Sequence, residues 1–252
     1  MIDLHTHLLP AVDDGSRSVG QSVRVLRTFA LKGITDVACT SHLLASQAHL
    51  GFPPQQDAAW AALNEAYPAG GVRLHRGAEV MLDRPILPAT ADRKVTINGT
   101  RYILVEFPRM VPAEIVARAL YEVIQIGLVP ILAHPERYTS CSVPTVRAWR
   151  ELGAVMQVDA TTLTLPRNRG DRARDLVRHG LADILGSDNH GDERNVATAL
   201  DWLAENEGEE QSLLLLDANP RAILDDLATY EVEPLPVRDS LWQKMRRIFE
   251  SE

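Results

Sequence analysis

The chain has 252 residues, with 26 Lys and Arg against 34 Asp and Glu, so its formal net charge is -8. This negative charge opposes nonspecific binding to nucleic-acid phosphates, and an aromatic content of 5% argues against a stacking platform for single strands. Only Cys39 and Cys141 are present, so a disulfide-framework fold and a four-cysteine zinc site are excluded.

Nothing in the sequence predicts membrane insertion or export. There is no run of about 18 apolar residues, and the N-terminus lacks the basic and apolar segments of a signal peptide. We therefore expect a cytoplasmic protein. Apolar residues at helical spacing near the C-terminus predict a helical tail from about residue 239, which we expect to pack on its own domain rather than on a membrane.

Short apolar segments alternate with amphipathic helical patterns along the chain, as in parallel α/β proteins. Strands are predicted at residues 2–8, 35–40, 72–78, 102–106, 129–133, 154–159 and 182–186. Helices are predicted at residues 19–30, 54–67, 112–126, 143–152, 172–179, 193–205 and 211–216. Asn98-Gly99 predicts a hairpin turn within an excursion at residues 83–101. The alternation predicts a (β/α) barrel-like fold in one domain, residues 1–252.

Metal-binding side chains stand at the ends of most predicted strands. In order they are His5 and His7, His42, Glu79, Glu106, His134, Asp188 and His190, with Asp13 or Asp14 in the first loop. In an α/β barrel the carboxyl ends of the strands meet at one mouth, where active sites are built. Nitrogen and oxygen ligands without a thiolate suit two or three divalent ions.

Each of these residues has an ordinary explanation when it is considered alone. A single His-x-His motif is usually incidental, and Glu79 would be a solvated strand end. Glu106, however, lies in an apolar run, where an unpaired carboxylate is costly. Because nearly every strand end carries such a residue, the joint pattern favours a metal site. His49, His75 and His179 are not assigned to it, and Cys39 is expected in the core.

These residues stand in motifs that resemble the polymerase and histidinol phosphatase (PHP) superfamily. Within it, the sequence looks most like the CpsB/YwqE type of bacterial capsule-associated protein-tyrosine phosphatases. The motifs are Ile2-Asp3-Leu4-His5-Thr6-His7, Asp13-Asp14-Gly15, Thr40-Ser41-His42, Gly77-Ala78-Glu79, Leu104-Val105-Glu106-Phe107-Pro108, Ala133-His134-Pro135-Glu136-Arg137 and Gly186-Ser187-Asp188-Asn189-His190. They span residues 1 to about 195, and the resemblance is weak beyond Gly191.

The resemblance implies a distorted seven-stranded TIM-like barrel with three divalent metal ions, manganese being the first choice among Mn, Fe, Zn, Mg and Co. By position, the first ion would be held by His5, His7, Glu79 and Asp188. The second would be held by Glu79, Glu106 and His134, and the third by Asp14, His42 and His190. The match favours Asp14 over Asp13, and Arg137 matches the phosphate-binding arginine.

The sequence also departs from the family pattern at the substrate rim. Ser41 stands where the family usually has Pro, and residues 159–162 read Asp-Ala-Thr-Thr instead of Asn-Ala-Gly-Ser. Arg194 lies four residues after His190, where the family often places an arginine five residues on. Arg194 is therefore a weaker candidate than Arg137 for binding phosphate.

The resemblance implies hydrolysis of phosphotyrosine in a protein by metal-activated water, with a bacterial tyrosine autokinase as the possible partner. A phenolate leaving group needs little help from a general acid, since tyrosine has a pKa of about 10. For a substrate that needs a proton donor, the candidates are Asp14, Asp159 and a metal-bound water, and the sequence does not select among them. Cys141 lacks the surroundings of a cysteine nucleophile. The alternatives are a phosphatase acting on histidinol phosphate or another small metabolite, an exonuclease, which the net charge disfavours, and a non-catalytic PHP module.

Overall fold

Every strand pair in the part of the chain that the computed structural model describes, residues 1–67 and 71–236, is parallel. The strands are β1 (Ile2–Thr6), β2 (Asp36–Cys39), β3 (His42–Leu44), β4 (Arg73–Arg76), β5 (Glu79–Met81), β6 (Tyr102–Glu106), β7 (Val129–Ala133), β8 (Val155–Asp159) and β9 (Ile184–Gly186). The helices are α1 (Val19–Leu31), α2 (Ala45–Ala48), α3 (Pro54–Ala66), α4 (Ala113–Gln125), α5 (Val143–Glu151), α6 (Arg167–Arg178), α7 (Ala199–Glu205), α8 (Glu209–Leu213) and α9 (Asn219–Leu224).

The strands form two sheets, one in the order β1-β2-β4 and the other in the order β3-β5-β6-β7-β8-β9. Two of the predicted strand positions are split, because Thr40 and Ser41 separate β2 from β3, and Gly77 and Ala78 separate β4 from β5. The α/β fold with parallel sheets is therefore confirmed. The predicted distorted barrel of seven strands is not confirmed, because the hydrogen-bonded strands form two separate sheets rather than one ring.

The two sheets nevertheless meet where β1 and β9 end. The amide of Asp188 donates to the carbonyl of His5 at 2.9 Å, and the amide of His7 donates to the carbonyl of Asn189 at 2.7 Å. These bonds place the segment after β9 beside the end of β1. As a result, residues from the first and last strands of the chain lie at the same edge.

Most of the strands are buried on both faces, whereas β4 is partly exposed. All five residues are buried in β1, β6 and β8, and in β6 this agrees with a nearly continuous apolar sequence. Helix α4 shows the matching amphipathic pattern, with Val116, Leu120 and Val123 buried at spacings of four and three residues. Apolar burial of this kind fixes the strand ends in space.

Other predictions differ in detail from the structure. The excursion at residues 83–101 contains two short 3-10 helices, Pro88–Asp92 and Ile97–Gly99, and Asn98-Gly99 forms no hairpin because the neighbouring strands run parallel. The helix predicted at residues 172–179 begins earlier, at Arg167. The helix predicted at 193–205 begins at Ala199, after a 3-10 turn. The predicted C-terminal tail lies outside the described residues.

The segment after α7 forms a helix with one irregular stretch. Helix α8 passes into a π-helical stretch, Leu214–Ala218, and then into α9, with Leu215 and Leu216 buried. Within the ranges described, no helix is both long and apolar enough to cross a bilayer.

Candidate metal centre

Glu79 lies at the centre of the side chains that follow the strands. Its side chain is 1% exposed, and its Oε1 atom lies 3.3 Å from Nε2 of His5 and 3.0 Å from Nε2 of His134. Its Oε2 atom lies 3.2 Å from Nε2 of His7 and 3.1 Å from Nδ1 of His42. One buried carboxylate therefore faces four imidazoles that come from three different strand ends.

The register of the strands produces this convergence. His42, at the start of β3, is paired with Glu79 at the start of β5, and Met81 is paired with Glu106 at the end of β6. Adjacent parallel strands thus present their polar residues side by side. The Nδ1 atom of His42 lies 3.1 Å from Oε1 of Glu106.

Three overlapping groups of side chains could each hold a metal ion. They are His5, His7, Glu79 and Asp188; His7, Asp14, His42 and His190; and His42, Glu79 and Glu106. In each group the ligand atoms lie within 4.8 Å of one another. The first group is the set that the resemblance implied for the first ion. The second group is the set implied for the third ion with His7 added. The third contains His42 where the resemblance implied His134, whose Nε2 atom lies 3.8 Å from Oε2 of Glu106.

Two polar residues orient His5, in β1, and His7, which follows it. The Nδ1 atom of His5 lies 2.8 Å from Oε1 of Gln157, and Nδ1 of His7 lies 2.8 Å from Oδ2 of Asp13. Both oxygens are acceptors, so each Nδ1 carries the proton and donates it, which leaves the Nε2 lone pair for a metal. The sequence did not single out Gln157, although a buried glutamine in an apolar strand was a possible signal.

Asp13 and Asp14 have different positions in the first loop. The Oδ1 atom of Asp14 lies 3.4 Å from Nε2 of both His42 and His190, and its side chain is 69% exposed. Asp13 instead accepts from the amides of Gly15 and His42 as well as from His7. Asp14 is therefore the residue of the pair that is placed to be a metal ligand.

The loop approaches His7 so closely that Gly15 is required. A Cβ atom at this position would lie 2.1 Å from the carbonyl oxygen of His7 and 2.4 Å from its Cβ atom. Any side chain at residue 15 would push the loop away from β1. The close approach keeps Asp13 within hydrogen-bonding distance of the His7 ring.

The donor set fits divalent cations. The Nε2 atoms of His5 and His7 face each other at 3.3 Å, and both Nδ1 protons are directed elsewhere, so two lone pairs point at one space. Such an arrangement is favourable when a cation lies between them. The ligand atoms are nitrogens and carboxylate oxygens, which suit Mn, Fe and Zn ions.

The pKa values of His42 and Asp188 show the same demand for positive charge. Burial alone would lower the pKa of His42, but hydrogen bonds to Glu106 and Glu79 raise it to about 10. Burial would likewise raise the pKa of Asp188, but the charges of His5 and Arg137 and the hydrogen bond from His7 hold it well below its usual range. Protons on imidazoles stabilise these carboxylates wherever no cation does so.

Backbone strain also marks the site. His134 has φ 35° and Asp188 has φ 48°, values in the left-handed region that residues with a Cβ rarely adopt. Each such residue costs on the order of 1 kcal/mol, and strain of this kind clusters at functional sites. The two turns direct both side chains toward Glu79 and His5.

Arg137 lies beside the metal-binding side chains. Its Nη2 atom is 2.6 Å from Oδ2 of Asp159 and 2.5 Å from Oδ2 of Asp188, while its buried Nε atom has no hydrogen-bond partner within residues 1–67 and 71–236. Arg194 approaches the same carboxylate more loosely, with Nη1 3.7 Å from Oδ2 of Asp188, and is paired with Asp192. Both predicted arginines are therefore near the site, and Arg137 is the more firmly held.

Two histidines and two cysteines that the sequence did not assign to the site belong to none of these ligand groups: His75, His179, Cys39 and Cys141. His75 is bound to Asp36, and Nδ1 of His179 lies 2.8 Å from the carbonyl oxygen of Asp175. Burial raises the pKa of Cys39 and of Cys141 to about 12. Neither thiol is therefore a thiolate nucleophile near neutral pH.

Comparison with known families places this arrangement in context. The sequence model of the family described as "Capsular polysaccharide synthesis, CpsB/CapC" matches residues 1–225. The chain is 28% identical over 248 residues to the tyrosine-protein phosphatase YwqE of Bacillus subtilis, covering 94% of this chain and 97% of the relative. It is 27% identical over 243 residues to the tyrosine-protein phosphatase CpsB of Streptococcus pneumoniae, covering 90% and 99%.

Solved structures agree with these sequence matches. A crystal structure from the work on YwqE of Bacillus subtilis and CpsB of Streptococcus pneumoniae, described as metal-dependent tyrosine phosphatases, superposes with a TM-score of 0.77. It has 25% sequence identity and covers 95% of this chain and 100% of that one. An organophosphorus hydrolase variant from Deinococcus radiodurans superposes with a TM-score of 0.55 at 13% identity over 88% of this chain and 91% of that one, and this likeness concerns the fold alone.

Proposed function

Because the chain belongs to the CpsB/CapC family of capsular polysaccharide synthesis proteins, we propose that it is a metal-dependent phosphatase acting on protein phosphotyrosine. The observation that carries this proposal is the set of overlapping ligand groups around Glu79, with Arg137 at their edge. The named relatives are tyrosine-protein phosphatases, which supports the substrate class.

We propose three metal ions, with manganese as the first choice, held by the nine residues that the sequence indicated. These are His5, His7, Asp14, His42, Glu79, Glu106, His134, Asp188 and His190. Divalent ions bound there would supply Lewis-acid stabilisation of the phosphoryl oxygens and would acidify water near neutral pH. The protein contributes fixed ligand positions, since Gln157 and Asp13 orient the imidazoles of His5 and His7.

Arg137 would bind the phosphoryl group. Its Nη2 atom is held by Asp159 and Asp188, so the guanidinium is fixed in one orientation, and its Nε–H remains to donate to a phosphoryl oxygen. An arginine that is already oriented pays little entropy when it donates to developing charge. Arg194 is close enough to Asp188 to add a second cation at the rim.

A cavity next to the site suits an aromatic leaving group. It is lined by His42, Leu43, Leu44, Gln47, Met81 and Glu106. The lining includes two of the proposed metal ligands, His42 and Glu106, and three apolar side chains, those of Leu43, Leu44 and Met81. A phenol ring would be desolvated there while its phosphate reached the ligand groups.

Proton transfer also favours an aryl substrate. Asp159 accepts from Arg137 through Oδ2 and from the amide and hydroxyl of Thr161 through Oδ1, so it is occupied as an acceptor. Asp14 is the exposed carboxyl at the mouth, and we propose it both as a ligand and as the group that exchanges protons with solvent. An alkoxide leaving group would need a stronger donor than this site offers, whereas a phenolate would not.

Further proposals concern the architecture and the setting of the protein. We propose that the split strands complete a distorted barrel and that residues 1–252 form one domain with a C-terminal helix. Hydrogen bonds between the ends of β1 and β9 support the barrel. We propose a cytoplasmic location, in keeping with two free cysteines, and a tyrosine autokinase as the partner that carries the phosphotyrosine.

The proposal is tested by measuring bound metal and phosphatase activity on the same preparation. We expect hydrolysis of a phosphotyrosine peptide and of p-nitrophenyl phosphate, loss of both after chelation and dialysis, and recovery when Mn²⁺ is added. Histidinol phosphate, assayed in parallel, should be the poorer substrate. Full activity after exhaustive chelation would rule out the metal mechanism, and a preference for histidinol phosphate would favour the metabolite phosphatase.

A further inference from the structure

Helix α6 turns an arginine toward the loop that carries Arg137. The Nη1 atom of Arg172 donates to the carbonyl oxygens of Glu136 and Tyr138, at 3.2 and 2.6 Å, so this face of the helix packs on the loop after β7. Arg169 lies three residues earlier, and residues three apart share a helix face. Arg169 is therefore directed to the same loop, nearer the N-terminal end of α6.

Arg169 has no anionic partner among residues 1–67 and 71–236. The residue is half-buried, and its Nε atom is buried without a hydrogen-bond partner in those ranges. Burial lowers the pKa of the Arg169 guanidinium, and the charges of Arg137 and Arg109 lower it further, against the opposing carboxylates of Glu136 and Asp159. A half-buried cation beside other cations is unfavourable unless an anion joins them.

The neighbouring carboxylates are engaged except at Oε2 of Glu136, which is buried and accepts no hydrogen bond in the described residues. Both oxygens of Asp159 take part in contacts with Arg137 and Thr161, and Oε1 of Glu136 accepts from the amide of Asp159. These contacts hold the carboxylates against the loops. They leave the Arg169 guanidinium without a direct ion pair in the described part of the chain.

Arg109 is a second cation on this side of the site that has no ion pair in the described part of the chain. It lies in the loop after β6, is exposed, and its carbonyl oxygen accepts from the amide of Thr139 at 2.9 Å. This bond ties the loop to the segment that follows Arg137. Arg109, in the loop after β6, and Arg169, in helix α6, thus lie on segments that both contact the loop after β7.

We propose that Arg169 and Arg109 form a subsite for an oxyanion next to the phosphotyrosine in the substrate. The ligand chemistry is a carboxylate side chain or a second phosphoryl group, carried by a residue close to the phosphotyrosine being hydrolysed. This inference rests on the proposed function of the site. It assigns a substrate preference for acidic segments to a protein whose overall charge is negative.

The interaction lies away from the reacting phosphoryl group, so it stabilises the bound substrate and the transition state equally. We expect it to lower KM and leave kcat nearly unchanged. A charge-assisted hydrogen bond of this kind corresponds to about a ten-fold change in affinity. Salt should weaken the preference because Arg109 is exposed.

The test compares three phosphotyrosine peptides that differ only at neighbouring positions. One has alanine there, one has aspartate, and one has a second phosphotyrosine. For the metal-loaded wild-type protein we expect kcat/KM to be about ten-fold higher for at least one acidic peptide than for the alanine peptide. The aspartate and phosphotyrosine peptides distinguish the two sources of the oxyanion.

In Arg169→Gln this ratio of acidic to neutral kcat/KM should fall to about one, through KM. Arg109→Gln, a substitution in an exposed loop, should lower the ratio without risk to folding. Arg178→Gln removes the same charge from the exposed far end of α6 and should keep the wild-type ratio. Equal rates on all three peptides, or an unchanged ratio in both Arg169→Gln and Arg109→Gln, would overturn this inference alone. No hydrolysis of any peptide would overturn the proposed function as well.

Discussion

The Nη2 atom of Arg137 lies 2.5 Å from Oδ2 of Asp188, and Oδ1 of the same carboxylate lies 3.3 Å from Nε2 of both His5 and His7. One carboxylate thus contacts the proposed phosphate-binding residue on one side and proposed metal ligands on the other. This geometry couples the two halves of the site, because a shift of Asp188 would move both.

Replacing Arg137 should affect turnover more than metal binding. We expect Arg137→Gln to lower kcat/KM at least about 100-fold, because the positioned donor to the phosphoryl oxygens is lost. The kcat/KM of Arg137→Lys should lie between those of Arg137→Gln and the wild type, since lysine keeps the charge but lacks the planar guanidinium fork. Steady-state kinetics with p-nitrophenyl phosphate at saturating Mn²⁺ measures this, with metal content checked by elemental analysis.

The exposed Arg118 of α4 provides the control, because Arg118→Gln removes an arginine whose one ion pair in the described residues is with Glu122. Its kcat/KM should remain at the wild-type value. Wild-type rates in Arg137→Gln with a full metal complement would show that this arginine does not bind the phosphoryl group.

Two proposed ligands can be tested by truncation. His134→Ala and Glu106→Ala should each abolish turnover and reduce bound metal, because each removes a ligand that faces Glu79 or His42. Both variants should still unfold cooperatively, since these side chains lie at the strand ends rather than in the apolar core. Activity, elemental analysis and thermal unfolding are measured together.

His179→Ala is the matched control, since His179 is exposed at the end of α6 and contacts only a backbone carbonyl in the described residues. It should keep wild-type activity and metal content. If the control and the two ligand variants behaved alike, the ligand positions would be wrong.

The sequence singled out side chains that the structure brings together, because their signal is local. Strand ends of a parallel sheet share an edge, so His5 and Glu106 could be brought together without knowing the register. Splitting of the third predicted strand was not predictable, since it depends on a distant contact. A Cβ atom at Gly77 would lie 2.7 Å from Cδ1 of Ile97, and the chain bends there before Glu79 begins β5.

The partners of the ligands could not be predicted for the same reason. Gln157 meets His5 across 152 residues of sequence, and no spacing rule connects them. The choice between Asp13 and Asp14 depended on a loop conformation that Gly15 permits by approaching His7. The unpartnered Nε atom of Arg169 in the described residues likewise depends on how α6 packs on the loop after β7, which the sequence does not show.

The residues behind the histidines should set metal affinity. Gln157→Leu removes the acceptor of the His5 Nδ1 proton, and Asp13→Ala removes the acceptor for His7. We expect each to weaken metal binding about 10- to 100-fold while leaving the number of ligands unchanged. Activity should therefore return at high Mn²⁺ concentration, and titration of apoprotein with Mn²⁺ measures the shift.

Asp14→Ala should behave differently from Asp13→Ala, because it removes a ligand placed 3.4 Å from Nε2 of His42 and of His190. Added Mn²⁺ should not restore full activity to it. Full recovery of Asp14→Ala together with no recovery of Asp13→Ala would exchange the roles of the two aspartates.

The last prediction concerns an ion-pair cluster at the start of the strands, opposite the end that carries the proposed metal ligands. Asp36, fully buried at the start of β2, binds Arg73 of β4 through Nε and Nη2 at 2.8 and 2.9 Å, and Nη2 of Arg221 in α9 at 2.7 Å. It therefore ties two strands and a helix together. Asp36→Asn should lower the free energy of unfolding by about 3 kcal/mol at pH 7, since it leaves cations without their partner.

The pH dependence of this effect has a defined sign. Burial would raise the pKa of Asp36, but hydrogen bonds from Arg73 and Arg221 outweigh it and hold the pKa well below its usual range. A carboxyl whose pKa is lowered by folding stabilises the protein above its unfolded pKa of about 3.9 and loses that stabilisation as the pH falls below it. The difference in unfolding free energy between wild type and Asp36→Asn should thus shrink below about pH 4. Urea unfolding at several pH values measures it.

Arg73→Ala should lower the free energy of unfolding less than Asp36→Asn, because Arg73 is 65% exposed and Arg221 still pairs with the carboxylate. A difference between wild type and Asp36→Asn that did not change below pH 4 would contradict the assigned ion pairs.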